Sequence, residues 1–149
     1  MATQSISYRP ATETDSDFLW NLHRVGFQEY VDAIWGWDDA DQERRFRENF
    51  DPAGRQVIQV QGQDAGVLWV EEKADHVYID YVAILPRFRN QGIGAQVVQE
   101  IIAAAAAKGQ PVALQVLRGN PARRLYERLG FVVTEETAEH FRMARPLDI

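Results

Sequence analysis

A strand that ends at a proline and is followed by two closely spaced glycines constrains the fold of this chain more than any other feature. The apolar run HVYIDYVAILP ends at Pro86, and Gly92 and Gly94 stand where the next helix begins. Glycine inside a helix costs about 1 kcal/mol relative to alanine, so this helix start must have a use for the missing side chains. One interpretation is an anion site built from the free N–H groups of the first turn, and the other is a tight turn with close helix–sheet packing.

The segments before this unit predict a strand, two helices and a β-hairpin. Residues 6–11 alternate as a short strand, and Thr12 with Asp15 forms a capping box before a helix. That helix would bury one apolar face, formed by Phe18, Leu22 and Val25. A second helix is predicted over residues 39–49, and two β-rich runs around a turn at 62–64 predict a hairpin.

The segments after the glycines alternate between helix and strand. The helix that the glycines open ends near Gly109, and a buried strand follows over residues 112–117. The segment NPARRLYERLGF predicts a short helix with Asn120 as its N-cap and Gly130 just past its end. Two last strands complete the order β-α-α-β-β-β-α-β-α-β-β. The sequence therefore predicts one mixed α/β domain over residues 1–149, a central sheet flanked by about four helices.

The composition excludes several classes of function. The chain has no cysteine, which excludes disulfides, thiolate metal sites and a cysteine nucleophile. Its three histidines lack zinc-type spacing, so no metal is expected. The N-terminal segment does not resemble a signal peptide, and no apolar run has membrane-spanning length. We therefore expect a cytoplasmic protein without a membrane partner.

The charge of the chain is unevenly distributed. A net charge of −6 argues against nucleic acid as a partner. Residues 86–130 nevertheless contain seven basic and two acidic residues, a net charge of +5 that leaves −11 for the rest of the chain. Because this basic segment surrounds the two glycines, it favours a local anion site on an acidic protein.

The glycine motif fails two common phosphate-binding patterns and fits a third. It lacks the lysine and hydroxyl residue of a P-loop, and a dinucleotide-binding fingerprint would require glycine at Val97. The hexapeptide RNQGIG, residues 89–94, fits the pattern Q/R-x-x-G-x-G/A, and NPARRLYERLGF follows at the right spacing. With these two motifs in order, the sequence resembles the GNAT superfamily of acyl-CoA-dependent N-acyltransferases over essentially its whole length.

The resemblance implies acetyl-CoA as the co-substrate and assigns the residues that bind it. The coenzyme A pyrophosphate would be held by the backbone N–H groups of Arg89, Asn90, Gln91, Gly92, Ile93, Gly94 and Ala95. The pantetheine arm would pair with the backbone of Val82, Ala83 and Ile84. Asn120 would lie beside that arm, or serve only as a helix cap. Arg123 or Arg124 would meet the adenosine phosphate, or be merely exposed to solvent.

The resemblance also implies direct attack of a neutral amine on the acetyl thioester, with no acyl group on the enzyme. Tyr126 falls where the family keeps a tyrosine that protonates or hydrogen-bonds the departing thiolate. A phenol of pKa about 10 can donate to a thiolate whose parent pKa is about 8.5. The alternative for Tyr126 is simple packing beside Leu125 and Leu129. The general base stays open between a water chain and three side chains, those of Asp80, Tyr81 and His140.

Acceptor specificity is implied to lie in the segment between the first two helices. This segment, QEYVDAIWGWDDADQE at residues 28–43, contains six acidic residues and no basic one. Tyr30, Trp35 and Trp37, together with Asp38, suit a cationic amine through cation–π contacts and ion pairing. The alternative is that the tryptophans belong to the core and the acidic residues to a solvated helix start.

The predicted function is transfer of an acetyl group from acetyl-CoA to a primary amine of a small molecule, a peptide or a protein. A non-catalytic acyl-CoA-binding sensor or interaction module is the alternative, and a homodimer stays open as the assembly. Tyr126, with Asn120 at the matching position, favours the enzyme. A nucleic-acid binder is disfavoured, because the chain outside the basic segment is strongly acidic.

Overall fold

The structure, a computed structural model that describes residues 5–147, alternates strands and helices in the predicted order. The strands are β1 (Ile6–Pro10), β2 (Arg55–Val60), β3 (Gln63–Glu72), β4 (Val77–Ile84), β5 (Val112–Leu117), β6 (Val132–Glu136) and β7 (His140–Arg145). The helices are α1 (Ser16–Trp35), α2 (Asp39–Glu48), α3 (Ile93–Ala107) and α4 (Ala122–Arg128). None of the helices within the described range is long and apolar enough to cross a bilayer.

The strands form one mixed sheet in the order β1-β2-β3-β4-β5-β7-β6. The pairs β1–β2, β2–β3, β5–β7 and β6–β7 are antiparallel. The pair β4–β5 is parallel, with a register that runs from Val77↔Val112 to Ile79↔Leu114. A parallel pair needs a crossover connection, which α3 supplies here. The predicted fold class, a mixed sheet with four helices, is confirmed.

The chain packs as two compact units. The first unit contains the described residues up to Trp69 together with Tyr81–Ile93. The second contains Val70–Asp80 together with the described residues from Gly94 onward. Since the boundaries fall within β3 and β4, each of these two strands contributes to both units.

The core of the first unit is built on α1. Its central residues are Leu19 and Leu22 of α1, Val67 of β3 and Ala83 of β4. The predicted apolar face of α1 was wrong at one position, because Val25 is 44% exposed, whereas Trp20 is buried. The predicted capping box is present. Thr12 N donates to Asp15 Oδ2 at 2.8 Å, and the box opens a 3₁₀ turn over Glu13–Asp15 that precedes α1.

The turn between β2 and β3 is shorter than predicted. Only Gln61 and Gly62 join the two strands, with φ values of 51° and 80°. Two positive φ values are the signature of a type I′ turn, which matches the twist of the flanking strands. Gln63 and Asp64, which the sequence assigned to the turn, therefore belong to β3.

An ionic network joins β1, the start of α1 and β3. The guanidinium of Arg9 donates to both carboxylate oxygens of Asp15, at 2.8 and 3.0 Å, and to Asp64 Oδ2 at 3.0 Å. Gln59 Nε2 also donates to Asp64, at 2.9 Å. The hydrogen bonds from Arg9 are the main reason that the pKa values of both carboxyl groups lie below their usual range.

The second unit buries alternate residues of its strands. On β5, the buried side is formed by Val112, Leu114 and Val116. Val97 and Val98 of α3 are also buried. The end of α4 follows the prediction, since Gly130 N donates to the carbonyl of Glu127 at 3.1 Å just past the helix.

Candidate functional site

The loop between β4 and α3 has a backbone geometry that suits an anion site. A 3₁₀ turn at Pro86–Phe88 follows β4, and α3 begins at Ile93. Asn90 and Gly92 both have positive φ values, 62° and 77°. Loops of this kind can turn successive N–H groups toward one point, where they bind anions. Phe88 and Ile93 are buried, so the loop is anchored on both sides.

The two glycine positions of this loop differ in whether the protein itself requires glycine there. Gly92 has a φ of 77°, a conformation that side chains other than glycine adopt only with strain. A Cβ at Gly94 would meet only the Cδ2 atom of Leu125, at an ordinary contact distance of 3.7 Å. Packing within the described chain therefore does not require glycine at position 94. A ligand that approaches the first turn of α3 would explain why this position is small.

Two side chains of the loop are engaged with its own backbone. Arg89 Nε donates to the carbonyl of Ile84 at 3.1 Å, and Gln91 Nε2 donates to the carbonyl of Arg87 at 3.2 Å. Arg89 is thus tied to the last residue of β4, one of the three residues predicted to meet pantetheine. Ala83, the middle residue of those three, is buried.

Asn120 and Tyr126 both belong to the second unit. Asn120 Oδ1 accepts from Ala122 N at 2.9 Å, so Asn120 caps α4, which begins one residue later than predicted. Tyr126 packs edge-on against Phe131, with ring centroids 5.7 Å apart. Burial raises the pKa of Tyr126 to about 12. Its hydroxyl is therefore protonated, and able to donate a hydrogen bond, throughout the physiological range.

Arg123, one of two residues considered for the adenosine phosphate, already has partners in the second unit. Its Cζ atom lies 4.1 Å from the ring centroid of Phe141, and its Nε lies 3.3 Å from Glu127 Oε1. The guanidinium of Arg118 lies 4.5 Å from the same ring. Arg124, the other candidate, is exposed.

The segment predicted to separate the first two helices is mostly helical. Because α1 continues to Trp35 and α2 begins at Asp39, the connection contains only residues 36–38. Trp35 is 57% exposed. Trp37 is half-buried and stacks on Trp20, with centroids 6.2 Å apart, and its Nε1 donates to Asp39 Oδ1 at 3.1 Å. The two tryptophans therefore differ. Trp35 is exposed, whereas Trp37 belongs partly to the core, as the alternative interpretation expects. Tyr30 lies on α1 and is partly exposed.

Arginines partly balance the acidic residues of this segment. Asp39 pairs with Arg24 (2.8 Å), Asp41 with both Arg44 (2.5 Å) and Arg45 (3.0 Å), and Glu43 with Arg47 (3.1 Å). Asp38 is the N-cap of α2, and its carboxylate accepts from Asp41 N at 2.9 Å. Asp38, Asp41 and Glu43 therefore stabilise α2 locally, and Asp39 joins α2 to α1.

Tyr81 contacts a histidine that the sequence analysis did not select. Its hydroxyl lies 3.0 Å from Nδ1 of His23 on α1. Four further rings surround His23 with centroids 5.4–6.1 Å away, those of Trp20, Phe27, Trp37 and Phe46. We call these six residues the aromatic cluster. Burial raises the pKa of Tyr81 and lowers that of His23.

The sequence contains a pattern that could have predicted three of the six residues of the aromatic cluster. Trp20, His23 and Phe27 have the spacing i, i+3, i+7, which places them on one face of a helix. Tyr81 is 58 residues from His23 along the chain, so no local pattern joins the two.

The other two candidates for the general base lie in the second unit. Asp80 is on β4, and His140 opens β7, opposite Leu117 of β5. His140 N donates to Thr137 Oγ1 at 2.9 Å across the turn that precedes β7. Within residues 5–147, no group of three histidine or acidic side chains is placed to hold a metal ion.

Comparison with known proteins identifies the family. The sequence matches the Acetyltransferase (GNAT) family over residues 16–131. The chain belongs to the GNAT acetyltransferases. It is therefore an acetyl-CoA-dependent N-acetyltransferase, and coenzyme A is the carrier of its acetyl group. No curated protein matches this GNAT sequence.

Solved structures share the GNAT fold of this chain at low sequence identity. PaiA N-acetyltransferase from Thermoplasma acidophilum, in complex with coenzyme A, has a TM-score of 0.71 at 18% identity, over 95% of this chain and 99% of that one. The ribosomal-protein-S18-alanine N-acetyltransferase from Escherichia coli has a TM-score of 0.68 at 19% identity, over 97% and 96%. Naa50 from Arabidopsis thaliana, in complex with the bisubstrate analogue CoA-Ac-MVNAL, has a TM-score of 0.64 at 16% identity, over 96% and 99%.

Proposed function

We propose that this GNAT chain transfers the acetyl group of acetyl-CoA to a primary amine by direct attack, without an acyl-enzyme. The observation that carries the proposal is the first turn of α3, where neither backbone conformation nor packing requires the glycine at position 94. Space at a helix start that nothing in the protein fills is what a bound phosphate needs. Family membership makes coenzyme A the source of that phosphate.

We propose that coenzyme A is held by the residues that the sequence motif selects. The backbone N–H groups of residues 89–95 would bind the pyrophosphate, and the left-handed Asn90 and Gly92 support this role. The backbone of Val82–Ile84 would pair with pantetheine. These three residues lie on β4 beyond Ile79, where the parallel register with β5 ends. Asn120 would lie beside pantetheine while it caps α4.

Tyr126 is proposed to assist the departure of the sulfur. Bound acetyl-CoA supplies a thioester acetyl group; a C–N bond to the amine forms as the C–S bond breaks. With its pKa raised to about 12, Tyr126 is a weaker acid than a free phenol. Complete transfer of its proton to a thiolate of parent pKa about 8.5 is therefore unfavourable, and a hydrogen bond to the sulfur is its larger contribution.

The acceptor is proposed to be a cationic or amine-bearing molecule that docks at Trp35–Asp38. The exposed ring of Trp35 supports this proposal, whereas the ion pairs around α2 reduce the charge available to attract a cation. The E. coli enzyme is named for a ribosomal protein, and the Arabidopsis protein is in complex with the bisubstrate analogue CoA-Ac-MVNAL, which supports the peptide and protein amines among the predicted acceptors. One domain over residues 1–149, a cytoplasmic location and a homodimer stay predictions.

The test is a panel of amines, including peptides with free N-termini, assayed with acetyl-CoA by release of free thiol. We expect one class of amine to accelerate thiol release and to yield an N-acetylated product by mass spectrometry. Binding of acetyl-CoA without amine-dependent release would instead favour the sensor. Absence of acetyl-CoA binding at millimolar concentration would contradict the proposal.

A further inference from the structure

The aromatic cluster contains two titratable groups that the proposed reaction does not yet use. His23 Nδ1 and Tyr81 Oη are 3.0 Å apart, a hydrogen-bond distance. Both side chains are only partly exposed, and the rings of Trp20, Phe27 and Phe46 pack around them. A phenol and an imidazole joined by a hydrogen bond inside an apolar shell form a pair that can pass a proton.

The charged groups near this pair do not offset the effect of burial on the imidazole. Tyr81 is the titratable partner of His23 from β4, and the next residue on α1, Arg24, is paired with Asp39 at 2.8 Å. Arg55 of β2 acts on Tyr81 and slightly opposes the effect of burial on the phenol. Because burial lowers the pKa of His23, the ring is neutral at physiological pH. A neutral ring with its proton on Nε2 accepts the Tyr81 O–H at Nδ1.

The position of Tyr81 connects the pair to the proposed reaction. Tyr81 immediately precedes Val82–Ile84 on β4, the backbone proposed to hold pantetheine. His23 lies on α1, the helix whose last residue is the exposed Trp35. The pair therefore joins two elements, each of which is proposed to bind one substrate.

We propose that Tyr81 accepts the proton of the acceptor amine and that His23 accepts the proton of Tyr81, an inference that rests on the acetyl transfer proposed above. As the amine nitrogen bonds to the acetyl carbon, its N–H bond breaks and a new O–H bond forms at Tyr81. The original phenol proton moves to His23 Nδ1. After the product leaves, the imidazolium returns this proton to Tyr81, whose own proton passes to solvent, and the pair is restored with the ring protonated at Nε2. Tyr81 is the catalytic residue, and His23 is the positioning residue that acts through it.

This assignment predicts a specific pH dependence. The pair can accept a proton only while His23 is neutral, so kcat/KM, expressed per concentration of neutral amine, should fall as the pH drops through the pKa of His23. That pKa lies below the ordinary value of about 6.5, so the decline is expected below about pH 6.5.

His23→Asn is the sharpest variant, because the amide oxygen of asparagine can stand near the position of Nδ1 but cannot take up a proton. We expect kcat to fall roughly 10²-fold, as for loss of an acid–base group, while KM for acetyl-CoA is little changed. Tyr81→Phe should cause a similar loss, and the double variant should be no slower than the slower single variant. His76→Asn is the matched control, since His76 Nδ1 also holds a hydrogen bond, at 2.7 Å to the exposed Asp75.

A second measurement does not depend on the variants folding. Imidazole NMR of the full wild-type chain should show His23 protonated at Nε2, with a pKa equal to that of the acid limb of kcat/KM. A different tautomer, or a pKa that does not match that limb, overturns the inference. So does a folded His23→Asn variant with the wild-type kcat and acid limb. If the wild type releases no thiol with any amine, the proposed function fails and this inference fails with it.

Discussion

Burial limits what Tyr126 could contribute to the proposed reaction. The hydroxyl belongs to a side chain that packs on Phe131, and its pKa is raised to about 12. The hydroxyl can donate a hydrogen bond only while it is protonated. Because its pKa is so high, ionisation of Tyr126 should cause no loss of activity below about pH 11. A phenol with its ordinary pKa would begin to fail about two pH units earlier.

We therefore expect Tyr126→Phe to lower kcat roughly 10²-fold without changing the shape of the pH profile up to pH 10. The ring and its contact with Phe131 remain, so the melting temperature and KM for acetyl-CoA should be almost unchanged. The measurement is kcat against pH for both proteins, with chemistry shown to be rate-limiting. An unchanged kcat would reduce Tyr126 to a packing residue.

The two tryptophans near the end of α1 predict different consequences of substitution. Trp35 is 57% exposed, so Trp35→Ala should raise KM for a cationic acceptor with little loss of stability. A cation over a ring gains about 0.5–1 kcal/mol at an exposed site, which corresponds to a two- to fivefold change in KM. Trp37 stacks on Trp20, so Trp37→Ala should mainly lower the melting temperature.

Asp38→Asn tests the negative charge of Asp38 separately from its role as the N-cap of α2. Asparagine caps helices about as well as aspartate, so the hydrogen bond from Asp41 N is retained while the charge is lost. We expect a higher KM for the acceptor with an unchanged melting temperature and an unchanged KM for acetyl-CoA. An unchanged acceptor KM in both Trp35→Ala and Asp38→Asn would remove the acceptor from this segment.

At the scale of elements, β3 and β4 approach more closely than a side chain would permit. A Cβ at Gly66 would lie 2.2 Å from the carbonyl oxygen of Ala83 and 3.0 Å from the Cδ1 atom of Ile84. The backbone oxygen cannot rotate away as a side chain could. Glycine at this position is therefore a condition for the approach of the two strands.

Gly66→Ala should lower the free energy of unfolding by about 1–3 kcal/mol, the usual cost of forcing extra volume into packed structure. The control is Gly26→Ala in α1, where a Cβ would meet nothing within 4 Å. That variant should instead be more stable by up to about 1 kcal/mol, the difference in helix propensity. Urea denaturation measures both. Equal effects of the two substitutions would contradict the close approach at Gly66.

The Arg9 network predicts how the stability of the chain responds to acid. The pKa values of Asp15 and Asp64 are lowered in the folded state, so the network stabilises fully above the unfolded value of about 3.9. This contribution is lost as the pH falls through the folded pKa values. Arg9→Met leaves the buried Asp15 without its partner, which costs about 1–3 kcal/mol near neutral pH.

Denaturation of the wild type and of Arg9→Met between pH 7 and pH 2 tests this. The difference in the free energy of unfolding should be largest above about pH 5 and should shrink toward zero at the acid end. A difference that is independent of pH would mean that Arg9 acts through packing of its stem and not through the two carboxylates.

The range of each interaction explains which elements the sequence could predict. The glycine loop, the cap at Asn120 and the stop at Gly130 are local patterns, and each is found within one residue of its predicted place. The Arg9–Asp64 pair spans 55 residues and the His23–Tyr81 pair spans 58. Neither pair can therefore be predicted from a local sequence pattern. The error at Val25 has a similar cause, because packing against β3 and β4, and not the helix alone, sets which side of α1 is buried.

At the scale of the whole molecule, coenzyme A should stabilise the fold, because its proposed phosphate site is present without the ligand. A ligand that binds only the folded state at 100 times its Kd adds about 2.7 kcal/mol to the free energy of unfolding. For a chain of 149 residues this raises the melting temperature by roughly 5–10 °C. Acetyl-CoA should produce a similar shift, since the proposed site would bind the phosphate end that the two molecules share.

Gly94→Glu tests whether the shift arises at the first turn of α3. The new side chain has room, because a Cβ at this position meets only Leu125, so the variant should fold. Its carboxylate would then repel the pyrophosphate at the helix start, and the coenzyme A shift should disappear. Gly94→Gln adds the same bulk without the charge and should retain a larger part of the shift, whereas Gly94→Ala should retain nearly all of it. A full shift in Gly94→Glu would place the phosphate elsewhere, and no shift in the wild type at millimolar coenzyme A would contradict a preformed site.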